Sequence, residues 1–238
     1  MNPYQKLMAR KRKWTPVQTT AGTCKQGAEE AIYRALALRH MELPVGDFIT
    51  HALDHEVPTL AREVLVSNVK DEINHDIALG YISNAYGVDS QAEKEAFRLK
   101  TAWEAHPDHT ITKALVAERA IFFVLLPFFR FNGDAGMRTV SADISRDEQI
   151  HVAVNSLAHT ELGYNISPSL DKLRKATINW VMQPLGTNTV DKYLDKKFWL
   201  ESSDRLMYEG KAPQLAETKS ARMPAFFEHS NVNLPQYA

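Results

Sequence analysis

The feature that most constrains this chain is a repeated string of acidic residues and histidine. Asp-Glu-x-x-His occurs at residues 71–75 and again at residues 147–151. Another glutamate precedes the Glu of each string by 30 residues, so every member of the set recurs after 76 positions. The paired members are Glu42 with Glu118, Asp71 with Asp147, Glu72 with Glu148, and His75 with His151. Two copies of such a pattern rarely arise by chance in a chain with nine histidines. The repeat therefore indicates a twofold-repeated metal site.

The spacing within each string places its metal-binding residues on one side of a helix. Residues three apart on an α-helix share a face, so Glu72 and His75 can bind one metal ion together. Glu148 and His151 can do the same. Each lone glutamate must then come from a neighbouring antiparallel helix.

The expected turns between these helices guide the choice of the lone glutamates. In a symmetric hairpin the turn lies midway between the two ligands. For the first half this point lies beside Pro58, and for the second it lies inside Asn132-Gly133-Asp134, both of which are turn-forming. If Glu30 were the first ligand, the midpoint would fall inside an apparent helix. Glu42 is therefore preferred, with Glu30 as the alternative.

These four helices predict an all-α, ferritin-like four-helix bundle with extra peripheral helices. Four carboxylates and two imidazoles suit a pair of iron or manganese ions. Asp71 and Asp147 are each expected to accept a hydrogen bond from the ring N–H of the other half's histidine and so fix its tautomer. The competing interpretation, surface charges on amphipathic helices, does not account for the doubled pattern.

Apolar periodicity and turn residues predict the remaining helices. A helical pattern runs from residue 25 to about residue 56, with Pro44 and Gly46 predicting a break just after Glu42. Pro58 opens a second long helix that ends at Gly87. Further helices are expected at residues 91–104, 112–131, 136–159, 169–182, 190–207 and 214–222.

The chain divides into three predicted parts. Residues 1–24 are expected to form an N-terminal arm, residues 25–222 the helical domain, and residues 223–238 a C-terminal tail. The basic run Arg10-Lys11-Arg12-Lys13 is expected to be solvated within that arm.

Composition excludes several classes of function. A formal net charge of −1 provides no electrostatic attraction to nucleic acid or to a membrane. A single cysteine, Cys24, cannot form an internal disulfide and fits a reducing compartment. The most apolar run, residues 120–129, is about half the length of a membrane span. We therefore expect a cytoplasmic protein without nucleic-acid or membrane partners.

Two segments resemble the small (R2) subunit of class I ribonucleotide reductase. Residues 144–151, Ile-Ser-Arg-Asp-Glu-Gln-Ile-His, are similar to that family's second metal motif. Residues 118–124 resemble the helix that precedes it, including aromatic residues four and five positions after the Glu. The resemblance covers roughly residues 28–160 and fades over the remainder of the chain.

The resemblance implies an oxidant-generating subunit with a dinuclear centre of Fe/Fe, Mn/Fe or Mn/Mn. The centre would react with O₂ or superoxide and pass the oxidising equivalent to a large catalytic subunit, R1, which reduces ribonucleotides to deoxyribonucleotides. A homodimer is implied, as is R1 binding through the C-terminal tail. The implied metal ligands are Glu42, Glu72, His75, Glu118, Glu148 and His151.

The sequence departs from the family pattern at the radical site. Family members usually carry a radical-forming Tyr four residues after the first His, where this chain has Leu79, and Tyr81 lies on a different helical face. The first ligand is Glu rather than the commoner Asp. Both features are similar to members that keep the oxidising equivalent on a manganese–iron pair. For electron transfer to R1, the resemblance implies Trp14 and, in the tail, Tyr237.

Two other classes of function compete with this one. A stand-alone dinuclear oxygenase or oxidase, of the R2-like oxidase or desaturase type, would need a substrate channel and no partner-binding tail. The missing Tyr supports that alternative. A metal-storing or structural four-helix protein is the other, but ferritin cages lack the doubled Asp-Glu-x-x-His symmetry.

Overall fold

The computed structural model describes residues 1–55 and 57–215. Within these ranges the secondary structure consists of helices joined by turns and loops, and the predicted all-α, ferritin-like fold is confirmed. The predicted helix at residues 214–222 lies almost wholly outside the described residues, as do the tail and Tyr237. The division of the chain into three parts stays a prediction.

Ten α-helices cover most of the described chain. They are α1 (Pro3–Met8), α2 (Glu29–Ala37), α3 (Glu42–Leu53), α4 (Arg62–Tyr86), α5 (Ser90–Ala105), α6 (Thr110–Ala117), α7 (Phe123–Asn132), α8 (Ala135–Glu161), α9 (Pro168–Met182) and α10 (Lys196–Glu209). A π-helical turn, Glu118–Phe122, joins α6 to α7 into one bundle helix. That helix, α3, α4 and α8 form the four-helix core, and α2, α5, α9 and α10 pack around it.

The first hairpin joins α3 to α4 where the sequence predicted its turn. Pro58 precedes a short 3₁₀ turn, Thr59–Ala61, and α4 follows at once. Gly87 ends α4 with a φ of 100°, a backbone conformation that strongly favours glycine. Helix α4 therefore runs unbroken for 25 residues. Pro58 suits the turn before its start, and Gly87 suits its end.

The predicted break after Glu42 is wrong in its position. A 3₁₀ turn, Leu38–Met41, separates α2 from α3, so the interruption precedes Glu42. Pro44 lies in the first turn of α3, where a helix leaves its N–H groups unpaired, and the missing N–H of proline costs little there. Glu42 consequently opens a helix.

The second hairpin turns through Gly133 and Asp134, as the sequence predicted. The Asp134 side chain accepts the backbone N–H of Met137 at 2.8 Å and caps the N-terminus of α8. The same carboxylate accepts the N–H of Gly22 at 2.8 Å, which ties the N-terminal segment to this turn.

The basic run of the N-terminal segment is not solvated as the sequence predicted. Helix α1 packs against α4 and α8, with Tyr4 and Leu7 buried. Lys11 and Arg12 form ion pairs with carboxylates of the bundle instead of lying in solvent. These ion pairs depend on tertiary packing, because Asp71 on α4 and Asp143 and Asp147 on α8 attract the two cations.

Among the described residues, no helix combines the length and the apolar character needed to cross a membrane.

Replacing Asp134 by Ala should lower the free energy of unfolding by about 1–2 kcal/mol, because a helix cap and the bond to Gly22 are both lost. Urea unfolding of the metal-free protein, followed by circular dichroism, would measure the change. Thr139→Ala is a matched control, since it removes a side-chain bond inside the same helix, and it should change stability by less than about 0.5 kcal/mol. Equal effects of the two substitutions would contradict the capping role.

Candidate metal centre

The structure brings four glutamates and two histidines together in the middle of the bundle. Each of these side chains belongs to a residue at most 2% exposed. They come from the start of α3, from α4, from the π turn and from α8. The six residues are Glu42, Glu72, His75, Glu118, Glu148 and His151.

Their ligand atoms form two overlapping groups, within each of which all atoms lie within 4.8 Å of one another. One group contains Glu42, Glu72, His75 and Glu148, and the other contains Glu72, Glu118 and His151. Because Glu72 belongs to both groups, the cluster can hold two ions that share one carboxylate.

The shared carboxylate of Glu72 faces both histidines. Its Oε2 lies 3.3 Å from Nδ1 of His75, and its Oε1 lies 2.9 Å from Nδ1 of His151. Glu148 also lies between the rings, with Oε1 3.4 Å from Nδ1 of His75 and 3.7 Å from Nδ1 of His151. Each of these two carboxylates therefore lies close to both histidines.

Most atoms that face the centre of this cluster lack a hydrogen-bond partner. They are Glu42 Oε2, both oxygens of Glu72 and of Glu148, Glu118 Oε1, and Nδ1 of His75 and of His151. Buried polar atoms without partners are costly and rare, and here they converge on one place. Carboxylate oxygens with imidazole nitrogens form a donor set that suits iron or manganese. The residues present thus fit a pair of such ions.

Two aspartates orient the histidine rings. Nε2 of His151 lies 3.1 Å from Oδ2 of Asp71, and Nε2 of His75 lies 3.4 Å from Oδ2 of Asp147. Each pairing crosses between the two halves of the repeat. With its Nε2–H given to an aspartate, each ring presents the lone pair of Nδ1 to the cluster.

The N-terminal segment supplies the outer partners of both aspartates. Lys11 forms a close ion pair with Asp71. Trp14 donates its Nε1–H to Oδ2 of Asp147 at 2.6 Å, and its ring lies 6.3 Å from the ring of His75, centre to centre. Lys11 was missed by sequence reasoning; the basic run directly before Trp14 was the available signal.

The two alternatives for the first ligand are well separated in space. Glu42 is buried within the cluster, whereas the Glu30 side chain is 67% exposed and pairs with Arg34 at 2.7 Å. Of the two residues, Glu42 alone joins the cluster.

The π turn and Asn155 define the surroundings of Glu118. The backbone N–H of Phe123 reaches the carbonyl of Glu118 five residues earlier, a pattern that is rare and often found at functional sites. Asn155 donates its Nδ2–H to Oε2 of Glu118 at 2.5 Å. Sequence reasoning missed Asn155, although its place one helical turn after His151 was a usable signal.

Burial and crowding of charge shift the protonation of the whole cluster. Burial raises the pKa of Glu42 and of Glu118 well above the usual carboxyl value, and neighbouring carboxylates add to it. Burial disfavours the charged form of His151, but the Glu148 and Glu72 carboxylates outweigh it and raise the pKa to about 10. Without cations the cluster therefore holds protons, which metal ions must displace.

The fold and the site together define a ferritin-like helical protein with a buried carboxylate–histidine cluster. No family model matches the chain, and no curated protein matches its sequence. The structure is similar to the crystal structure of a Bacillus halodurans protein provisionally assigned as a class I ribonucleotide reductase. The TM-score is 0.58 at 15% sequence identity, with 93% of this chain and 95% of that chain covered. A likeness at this identity shows a shared fold.

Metal uptake by this cluster should release protons, so affinity should rise as pH rises from about 6 to about 8. The sign follows from the raised pKa of His151, Glu42, Glu118 and Glu148, which favours bound protons that ions must displace. Calorimetric titration with Mn²⁺ in buffers of different ionisation enthalpy would count the protons released. An affinity independent of pH would contradict this account of the site.

Proposed function

We propose that this chain is the small, oxidant-generating subunit of a class I ribonucleoside-diphosphate reductase. The observation that carries the proposal is a hydrogen-bonded connection from Trp14 through Asp147 to His75 of the buried cluster. The fold shared with the Bacillus halodurans protein and the resemblance of residues 144–151 to the R2 metal motif support it. A connection of this kind is what a subunit needs if it exports an oxidising equivalent.

The proposed metal ligands are the six buried residues of the cluster. Glu42, Glu72, His75 and Glu148 would hold one ion, and Glu72, Glu118 and His151 would hold the other. When bound, a pair of Fe or Mn ions supplies the redox chemistry by which O₂ or superoxide becomes an oxidising equivalent. The pair is proposed as Fe/Fe, Mn/Fe or Mn/Mn. Buried apolar residues such as Ile121 and Phe122, in the same π turn as Glu118, would help to exclude water from it.

In this proposal Asp147 would both orient His75 and accept a proton from Trp14. Its Oδ2 accepts from Nε1 of Trp14 at 2.6 Å and lies 3.4 Å from Nε2 of His75. If an electron leaves the Trp14 indole toward the cluster, the carboxylate of Asp147 is in position to accept the Nε1 proton. Trp14 is partly buried, so it lies between the surface and the centre.

The proposed partner is an R1 subunit that binds the C-terminal tail, where Tyr237 would continue the electron-transfer route. A homodimer is also proposed. Its support is a stripe of exposed apolar residues on α4, spaced by seven and by four positions: Val66, Ile73 and Ile77, exposed by 45%, 50% and 39%.

A stand-alone dinuclear oxidase is the second candidate, and Leu79 is the observation that favours it. This residue lies one turn after His75, is 5% exposed, and occupies the position at which the R2 resemblance implies a Tyr. Such an enzyme would oxidise its own substrate and would need no R1.

Reconstitution with Fe alone, Mn alone and both, before and after O₂ exposure, tests the nature of the oxidant. We expect about two ions per chain and an EPR signal centred on the metals, because Leu79 cannot form a tyrosyl radical. A tyrosyl radical would show that another Tyr, with Tyr81 the first to test, has taken that role. A chain that binds no metal under any of these conditions would overturn the proposal.

Trp14→Phe should reduce ribonucleotide reduction with an R1 subunit by about 10–100-fold or more, because the indole N–H and its redox chemistry are lost. Metal content should not change. Trp180→Phe is the matched control, since that indole donates to Glu95 at the periphery; its activity should equal that of wild type. R1-independent substrate oxidation that survives in Trp14→Phe would favour the stand-alone oxidase.

A further inference from the structure

Asn155 is a buried polar residue that touches a proposed metal ligand. It is 0% exposed and lies on α8, one helical turn after His151. Its Nδ2–H donates to Oε2 of Glu118 at 2.5 Å. Of the two Glu118 oxygens, Oε1 is therefore left without a hydrogen-bond partner, and it lies 3.7 Å from Nδ1 of His151.

The internal repeat is broken at this position. The counterpart of Asn155, 76 residues earlier, is Leu79, which also lies one turn after a cluster histidine and is also buried. Leucine has no donor to offer a carboxylate. Glu42, the counterpart of Glu118, therefore receives no hydrogen bond from this position. Its Oε2 lies 3.7 Å from Nδ1 of His75 and lacks a hydrogen-bond partner, as Oε1 of Glu118 does.

We infer that Asn155 is a positioning residue that makes the two ion positions unequal. It holds the Glu118 carboxylate so that Oε1 alone faces the position shared with Glu72 and His151. Leu79, the counterpart of Asn155, offers Glu42 no such hydrogen bond. The inference rests on the proposed function, because it presupposes that the cluster binds two ions.

The unequal restraint has a thermodynamic consequence. A ligand already held in its binding orientation loses less conformational freedom when an ion arrives, so binding is tighter. The hydrogen bond from the Asn155 amide also occupies Oε2, so Oε1 is the oxygen that Glu118 would offer to an ion. The position at Glu118 and His151 is therefore expected to bind its ion more tightly than the position at Glu42 and His75, although the second has more ligand atoms nearby.

Asn155 contributes little to the stability of the metal-free bundle on this account. Its Oδ1 is buried without a hydrogen-bond partner, a cost that offsets part of the gain from the bond to Glu118. Replacement by Leu removes that unpaired acceptor and adds apolar contact, while it leaves Glu118 Oε2 without its donor. We expect these effects to offset one another.

The inference is tested by measuring how metal-free Asn155→Leu binds Mn²⁺. Calorimetry and EPR of free Mn²⁺ would give the affinities, and thermal unfolding of the same sample would give its stability. Wild type should bind two ions with different affinities. Asn155→Leu should weaken the tighter step by about 10–100-fold, leave the weaker step unchanged, and leave the unfolding temperature of the metal-free protein nearly unchanged. Asn155→Ala, which also lacks the donor, serves if the Leu variant does not fold.

Leu79→Ala is the control for a packing defect one turn from a cluster histidine. It should lower the unfolding temperature of the metal-free protein without selectively weakening the tighter step. A merely structural role for Asn155 predicts the same behaviour for both variants.

The outcomes separate this inference from the proposed function. Two equal binding steps in wild type would overturn the inference, as would wild-type affinities in Asn155→Leu. Parallel weakening of both steps together with a lower unfolding temperature would also overturn it. In each of these cases the metal site itself stands. Absence of Mn²⁺ and Fe²⁺ binding by wild type would instead overturn the proposed function and the inference together.

Discussion

Burial of four carboxylates and two imidazoles in one helical core is the constraint on which the rest of the structure depends. Charged groups withdrawn from water are destabilising unless they are paired or bind metal. Among the described residues, the outer atoms of this cluster are paired through Asp71 and Asp147 on the ring nitrogens and through Asn155 on Glu118. The inner atoms depend on protons or cations. The bundle is thus built around a site that is costly until it is occupied, as functional sites often are.

The twofold repeat explains how a chain of this size supplies such a site. Each half contributes a hairpin with one glutamate on its first helix and a Glu-x-x-His pair on its second. The hydrogen bonds to the histidines cross between halves, so neither half is complete without the other. The halves then differ in detail: the first has a 3₁₀ turn before Glu42, and the second has a π turn that begins at Glu118.

The fold and the composition of the site could be predicted from the sequence, because both follow from the local spacing of residues. Residues three apart share a helix face, and Pro58 and Gly133 mark turns wherever they occur in space. What it did not reveal depends on tertiary contact. The packing of residues 3–14 follows from aspartates that attract Lys11 and Arg12 across long sequence separations. The break near Glu42 was misplaced because the sequence alone does not show that Pro44 lies in the first turn of a helix, where proline is tolerated.

The contacts of the N-terminal segment connect chain docking with the occupancy of the cluster. Lys11 and Trp14 hold the two aspartates that orient the histidines, so detachment of this segment would leave both rings less restrained. Thermodynamic linkage is reciprocal: any free energy by which the docked segment favours ion binding returns as tighter docking once ions are bound. Docking of a surface segment and occupancy of the buried cluster are therefore coupled through Asp71 and Asp147, so that a change at one would be felt at the other.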